Sequence, residues 1–203
     1  MIAAIVPAAG SSRRMGEPKL LLPIHGVSMI ARVVRALKEG GADRVVVVAP
    51  PETIAGAALI AAEAAAQAAH VIVPPEQPTD MRASVEVGLA WLQAQSEPPS
   101  AVLLTPADSP GLSAATVALV IERGLREPDA IIVPAFETRR GHPVLIPWKL
   151  AREIPRLPTG KGINALLTAH ADRVREIPIT DPSITADLDT PEDYQRWGRS
   201  DCP

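Results

Sequence analysis

Thiols are nearly absent from this 203-residue sequence: Cys202 stands alone, so neither an internal disulfide nor a cysteine-based zinc site is available. A reducing compartment, the cytoplasm, is the expectation that follows. Aromatic residues are almost as scarce, at 2% of the chain, and comprise Phe136, Tyr194, Trp91, Trp148 and Trp197. That excludes a platform on which successive nucleic-acid bases could stack. Excess positive charge is missing too. The 20 Lys and Arg residues fall short of the 23 Asp and Glu, for a net charge of −3, which gives no electrostatic footprint for nucleic acid. Long apolar runs are lacking as well. None reaches the roughly 18 residues of a membrane span, and the first residues carry no basic stretch of the kind that opens an export signal. Neither a nucleic acid nor a membrane is an expected partner.

What the chain does have is aliphatic bulk and proline. Hydrophobic residues make up 47% of it, and prolines number 22. A core of Ala, Val, Ile and Leu suits parallel strands buried on both faces. Strand-like runs cover Ile2–Val6, Arg44–Ala49, His70–Val73, Ala101–Leu104, Asp129–Val133, Val144–Ile146 and Val174–Ile179. Helical stretches run between them. Ser28 is placed to cap one that the Gly40–Gly41 pair closes, an alanine-rich stretch fills Glu52–Ala69, Asp80 opens a third and Ser113 a fourth. Gly160–Ala169 reads as another helix, and Pro191 opens a last short one. This alternation predicts an α/β protein of three αβα layers, with a Rossmann-like, mostly parallel sheet. One domain over residues 1–198 with a frayed tail at 199–203 is expected. Ligands of such sheets bind beyond the carboxyl ends of the strands, so the loops after Val6, Val73 and Leu104 are where chemistry belongs.

The first of these loops reads Ala8-Ala9-Gly10-Ser11-Ser12-Arg13-Arg14-Met15-Gly16-Glu17-Pro18-Lys19. Small residues let backbone approach a ligand, successive N–H groups can hold phosphate oxygens, and Arg14 and Lys19 add positive charge. A solvated turn is the plainer alternative for such a composition. The spacing fits neither common phosphate loop: Gly16 is followed by Glu17 rather than Lys, and no G-x-G-x-x-G is present.

With Leu21-Leu22-Pro23 behind it, this loop resembles the opening motif of nucleotidyltransferases with a glycosyltransferase-A-like fold, the nucleotide-diphospho-sugar transferase fold. Its form is most similar to the molybdenum cofactor cytidylyltransferases among the MobA-like NTP transferases. Met81-Arg82-Ala83-Ser84-Val85 with Gly88-Leu89 resembles that family's nucleotide-contacting segment, and Asp108-Ser109-Pro110 resembles its metal-binding turn. Arg140-Gly141-His142-Pro143 and Asp187-Leu188-Asp189-Thr190-Pro191-Glu192-Asp193 are similar to two further motifs, in the expected order.

The resemblance implies transfer of CMP from CTP to a phosphorylated acceptor, foremost molybdopterin, with release of pyrophosphate. Arg14, Lys19 and Asp108 would be catalytic. Ala8, Ala9, Gly10, Ser11, Ser12, Arg14, Lys19 and Ser84 would bind nucleotide, although Ser84 also sits where a helix start needs a hydroxyl. Mg2+ would be held by Asp108 with Asp187 or Asp189, a hard cation on carboxylate oxygen. For Asp108 the alternative is a carboxylate that bonds its own proline-flanked turn. Arg140, Gly141 and His142 would face the acceptor. Thr190 and Pro191 read as a helix start, and the acids after them as structural. Ala9, where related guanylyltransferases carry glycine, is the basis for preferring CTP. Other acceptors stay open (a sugar phosphate, a methylerythritol phosphate, phospholactate), as does a non-catalytic accessory role beside a molybdoenzyme.

Overall fold

The computed structural model describes residues 1–10, 18–186, 188 and 190–199. Its frame is a sheet that contains β1 (Ile2–Pro7), β4 (Arg44–Val48), β5 (His70–Ile72), β6 (Ala101–Leu104), β7 (Ile131–Phe136), β9 (Val144–Pro147) and β10 (Val174–Pro178). The spatial order is β10-β7-β9-β6-β1-β4-β5, and β8 (Arg139–Arg140) pairs with β7 as a side ribbon. All strands on the main path are parallel except β9, which runs antiparallel to both β6 and β7.

Side-chain alternation along β1 divides the interior into two cores. Ile2, Ala4 and Val6 face one side with α1 (Met29–Glu39), α2 (Ala57–Ala66) and α4 (Ala114–Arg126). Ala3 and Ile5 face the other with α3 (Met81–Gln93), α5 (Trp148–Ala151) and α6 (Asn164–Ala169). The final helix, α7 (Pro191–Arg199), adds Tyr194 and Trp197 to the first core. The large side chains below 2% exposure are almost all aliphatic, among them Ile5, Leu37, Leu103, Ile132 and Ile146. Burial of each stabilises the fold by about 1.5–3 kcal/mol, so scarcity of aromatics costs the core little. Among the described residues, no helix is long and apolar enough to cross a membrane.

The caps at Ser28, Asp80 and Ser113 form as the sequence indicates: each side-chain oxygen accepts from the backbone N–H three residues on. Two helices start later than their periodicity predicts. The alanine-rich helix begins at Ala57 rather than Glu52, because Gly56 precedes it in the left-handed region at φ +80°. The one expected from Gly160 begins at Asn164, and Gly160 likewise sits at φ +76°. A two-stranded ribbon, β2 (Pro23–Ile24) with β3 (Val27–Ser28), was not predicted. Its His25–Gly26 turn has positive φ at both residues, the primed geometry that suits a two-residue hairpin.

Gly88 marks where α3 crosses β1. A Cβ there would lie 2.7 Å from Ile5 Cγ2, a branched methyl fixed in the sheet. Gly88→Ala gains about 0.8–1 kcal/mol of helix propensity but incurs about 1–3 kcal/mol of overpacking. It should lower the urea midpoint at unchanged m-value. Gly162→Ala, where a Cβ meets nothing within 4 Å, should be neutral or stabilising.

Candidate active site

The carboxyl ends of β1 and β6 open onto a common cleft. Directly after β1, the Ala8 N–H donates to the Val48 carbonyl at 2.9 Å, which carries the β1–β4 ladder one residue into the loop. Ala9 is buried, and its carbonyl accepts from the Gln77 side-chain amide. Ala9, Gly10, Gln77, Ser84 and Asp108 line a cleft of about 490 Å3. The amino end of α3 closes one side of it, where the helix dipole favours an anion. Ser84 is 3% exposed, and its hydroxyl donates back to the Asp80 carbonyl at 3.4 Å.

Lys19 joins three parts of the chain. Its Nζ donates to Asp108 Oδ2 at 2.5 Å and to the Leu188 carbonyl at 2.9 Å. The Leu188 N–H in turn donates to the Asp108 carbonyl at 3.4 Å. Leu188 is fully buried in the first core, so the closing segment is anchored by an apolar side chain and delivers its backbone to the ion pair. Asp108 follows Ala107, which is 2% exposed and packs into that core. A small residue therefore fills the position before the aspartate.

Ser11, Ser12, Arg14, Asp187 and Asp189 lie outside the described residues. Among the described residues, no group of three or more His, Cys, Asp or Glu side chains is arranged to hold a metal. Of the aspartates expected to hold a metal, Asp108 is the one among the described residues; its side chain is 23% exposed, and its backbone carbonyl accepts from Leu188.

The Arg140-Gly141-His142 trio divides. Arg140 is exposed on β8, and its Nε donates to Glu176 Oε1 at 2.8 Å, away from the cleft. Gly141 has a packing reason: a Cβ there would fall 2.5 Å from the Ile184 carbonyl oxygen. Gly111, just after the Asp108 turn, is pressed the same way, with a Cβ position 2.3 Å from the Ser183 carbonyl oxygen. The 182–185 turn thus bears on both loops at once. Of the three, His142 lines a second cavity. Because β9 runs antiparallel, the residue that precedes it arrives beside the carboxyl end of β6.

That second cavity, of about 340 Å3, is bounded by Leu104, Thr105, His142, Lys161, Asn164 and Leu167, and shares Pro7, Asp80, Met81 and Pro106 with the first. Among the described residues, the buried His142 Nδ1 and Thr105 Oγ1 have no hydrogen-bond partner, which leaves both to serve a ligand. Burial pushes the His142 imidazole below its usual pKa, against the Leu104 carbonyl and the Asp108 charge, which raise it. Neutral imidazole therefore faces the cavity at neutral pH.

Gln77, Thr105 and Lys161 are additions to the residues expected from sequence. Gln77 lies in the loop after the strand that ends near Val73, one of the three loops where the α/β topology directs attention. A lone Gln between prolines carries no periodic signal of its own.

Residues 4–174 match the MobA-like NTP transferase domain family. A molybdenum cofactor guanylyltransferase of Rhodobacter capsulatus is 29% identical over 96% of this chain and 94% of its own. Nicotine blue oxidoreductase of Paenarthrobacter nicotinovorans is 27% identical over 96% and 95%. A 2-C-methyl-D-erythritol 4-phosphate cytidylyltransferase of Saccharopolyspora erythraea is 32% identical over 66% of this chain, and the match spans 59% of that enzyme. Among solved structures, Rv0371c from Mycobacterium tuberculosis H37Rv superposes with a TM-score of 0.82 at 28% identity, over 98% of this chain and 99% of its own. A complex of the same protein with manganese gives 0.77 at 26% identity, with 98% of each chain covered. A nucleotidyl transferase from Methanothermobacter thermautotroptrophicus gives 0.78 at 25% identity, over 97% and 95%. The fold is that of the nucleotide-diphospho-sugar transferases, and this chain belongs to the MobA-like NTP transferase family of nucleotidyltransferases.

Proposed function

We propose that this protein transfers CMP from CTP to a phosphorylated acceptor, molybdopterin first among them, in a cytoplasmic step of molybdenum cofactor maturation that can precede delivery to a molybdoenzyme. The observation that carries the proposal is the Lys19–Asp108–Leu188 junction beside a cleft that adjoins a second cavity. The first cleft receives the nucleotide against Ala8, Ala9, Gly10 and Ser84, and the second receives the acceptor beside His142. An acceptor phosphate oxygen attacks the α-phosphorus. A new P–O bond forms there as the bond to the β-phosphate oxygen breaks, and pyrophosphate leaves with that electron pair. The attacking oxygen is already anionic, so no base is needed. The site contributes position and charge neutralisation.

Lys19 supplies a fixed positive charge, and Arg14 in the same loop, with Ser11 and Ser12, completes the phosphate cradle. Asp108 with Asp187 or Asp189 would hold Mg2+, since carboxylate oxygens suit a hard cation and the Leu188 backbone brings that segment to Asp108. When bound, the ion neutralises charge on the phosphates. Ala9 is buried and tied through its carbonyl to Gln77, which makes a close wall that favours the smaller pyrimidine.

Pyrophosphate release, measured with each of the four NTPs, Mg2+ and molybdopterin, tests this. We expect CTP to exceed GTP by about tenfold, a difference of about 1.4 kcal/mol. Release with GTP alone would transfer the base preference to that of the guanylyltransferase relative. Release only with a sugar phosphate or methylerythritol phosphate would reassign the acceptor. No release with any NTP would overturn the proposal, and tight cofactor binding in its place would support an accessory role. One full-length relative is named an oxidoreductase, so a second reading has a definite signature. Turnover of nicotine blue, without pyrophosphate release, would favour it.

A further inference from the structure

Arg82 lies within the segment that resembles the family's nucleotide-contacting motif and borders the second cavity, yet its guanidinium is taken up by the protein itself. Nη1 donates to the carbonyls of Pro158 and Lys161 at 2.9 and 3.1 Å. Nη2 donates to those of Leu157 and Pro155 at 2.9 and 3.4 Å. Nε donates to Glu86 Oε1 at 2.7 Å. A guanidinium has five N–H donors, and all five are engaged here. Arg82 cannot donate to a nucleotide without releasing this set.

Four of its five partners belong to one segment, residues 155–161, which leads into the outer wall of the second cavity. That segment is neither strand nor α-helix, and it carries Gly160 at φ +76° followed by Gly162 in open space. Pro155, in a 3-10 turn, and Pro158 restrict its first half, so the conformational freedom lies at Gly160 and Gly162 beside Lys161. The guanidinium draws its carbonyl oxygens toward α3. Lys161 is exposed, follows Gly160 directly and lines the cavity with its neighbours. Carbonyl dipoles turned onto a cation do not oppose an anion at the cavity rim, and the Lys161 ammonium attracts one.

We propose that Arg82 is a positioning residue for the acceptor: it fixes the 155–161 segment so that Lys161 meets the acceptor's phosphate at the rim of the His142 cavity. The assignment rests on the reading of that cavity as the acceptor site. Lys161 makes the contact, and Arg82 acts through it. The α3 amino end that borders the nucleotide cleft is held separately by its Asp80 cap, so loss of the clamp should not reach the nucleotide.

The test is a double-mutant cycle on Arg82→Met and Lys161→Met, with the KM for molybdopterin and the KM for CTP measured for each protein. Either single change should raise the molybdopterin KM about tenfold, as expected for one lost charge-assisted contact, and leave the CTP KM within about twofold. The double variant should be no worse than the worse single, since both remove the same contact. Arg82→Lys keeps the charge without the fork and should not rescue. Hydrogen exchange of amides 155–163 should accelerate in Arg82→Met and stay unchanged in Lys161→Met, which separates clamp from contact even where turnover is low. Penalties that multiply in the double variant, equal rises in both KM values, or unchanged exchange in Arg82→Met would overturn the positioning role. Absence of wild-type turnover with any acceptor would instead overturn the reading beneath it.

Discussion

Lys19→Ala is expected to lower turnover by about a hundred- to a thousandfold, the scale seen when one preorganised transition-state donor is removed. The ammonium bonds the Asp108 carboxylate and the Leu188 carbonyl together, so the change deletes the charge and the tie between two motifs. Folding should survive. Asp108 is 23% exposed on its side chain, so water can take the place of the lost partner, and partly exposed pairs contribute on the order of 1 kcal/mol or less. Lys19→Arg should not restore activity, because a planar fork cannot occupy the place of a compact ammonium between a carboxylate and a carbonyl. The measurement is pyrophosphate release from purified protein, beside a urea transition that confirms a native fold. Wild-type turnover in folded Lys19→Ala protein would remove Lys19 from the mechanism.

Asp108→Asn is expected to be at least as damaging, for a different reason. Asparagine keeps the shape and can still accept from Lys19, but it removes a full negative charge. Turnover should fall by about a hundredfold or more, and the Mg2+ concentration for half-maximal rate should rise about tenfold or more. The two readouts separate two roles. If Asp108 served only to orient Lys19, the metal titration would keep its midpoint while the rate fell. If it holds the ion, the midpoint moves, and the Lys19→Ala protein should show no such movement.

Where sequence and structure agree, one physical rule decides each case. Four consecutive valines at Val45–Val48 could only be a strand buried on both faces. Ser28, Asp80 and Ser113 stand directly before helical periodicity and cap it. The differences arise where a backbone preference outweighs periodicity. Gly56 and Gly160 adopt positive φ and delay helices that the apolar pattern would have begun earlier. The β2–β3 ribbon has only two residues per strand, too few to show alternation.

The candidate site was legible to the degree that its residues are fixed by local motif. Lys19 and Asp108 are separated by 89 positions, and nothing local relates them, yet the topology puts both at carboxyl strand ends. Arg82 was visible as part of a motif and its Glu86 partner stands four residues on, but its four other partners are backbone carbonyls 73 to 79 residues away, and backbone leaves no signature in residue identity. Arg140 is charged and flanks a matched motif, but Glu176 on the neighbouring edge strand β10 holds it outward. Gly141 has a packing reason in the approach of Ile184.

The Leu188 carbonyl links the last part of the chain to the first loop across 169 positions, while the sheet draws its final strand no later than Pro178. All strands can therefore pair before the Leu188 carbonyl has arrived to meet Lys19. During synthesis the scaffold would precede competence, and a chain cut just after Pro178 would keep the Lys19–Asp108 pair but lack the Leu188 carbonyl. Activity would thus depend on the segment that carries Leu188, a dependence that stability measurements on the sheet alone would miss.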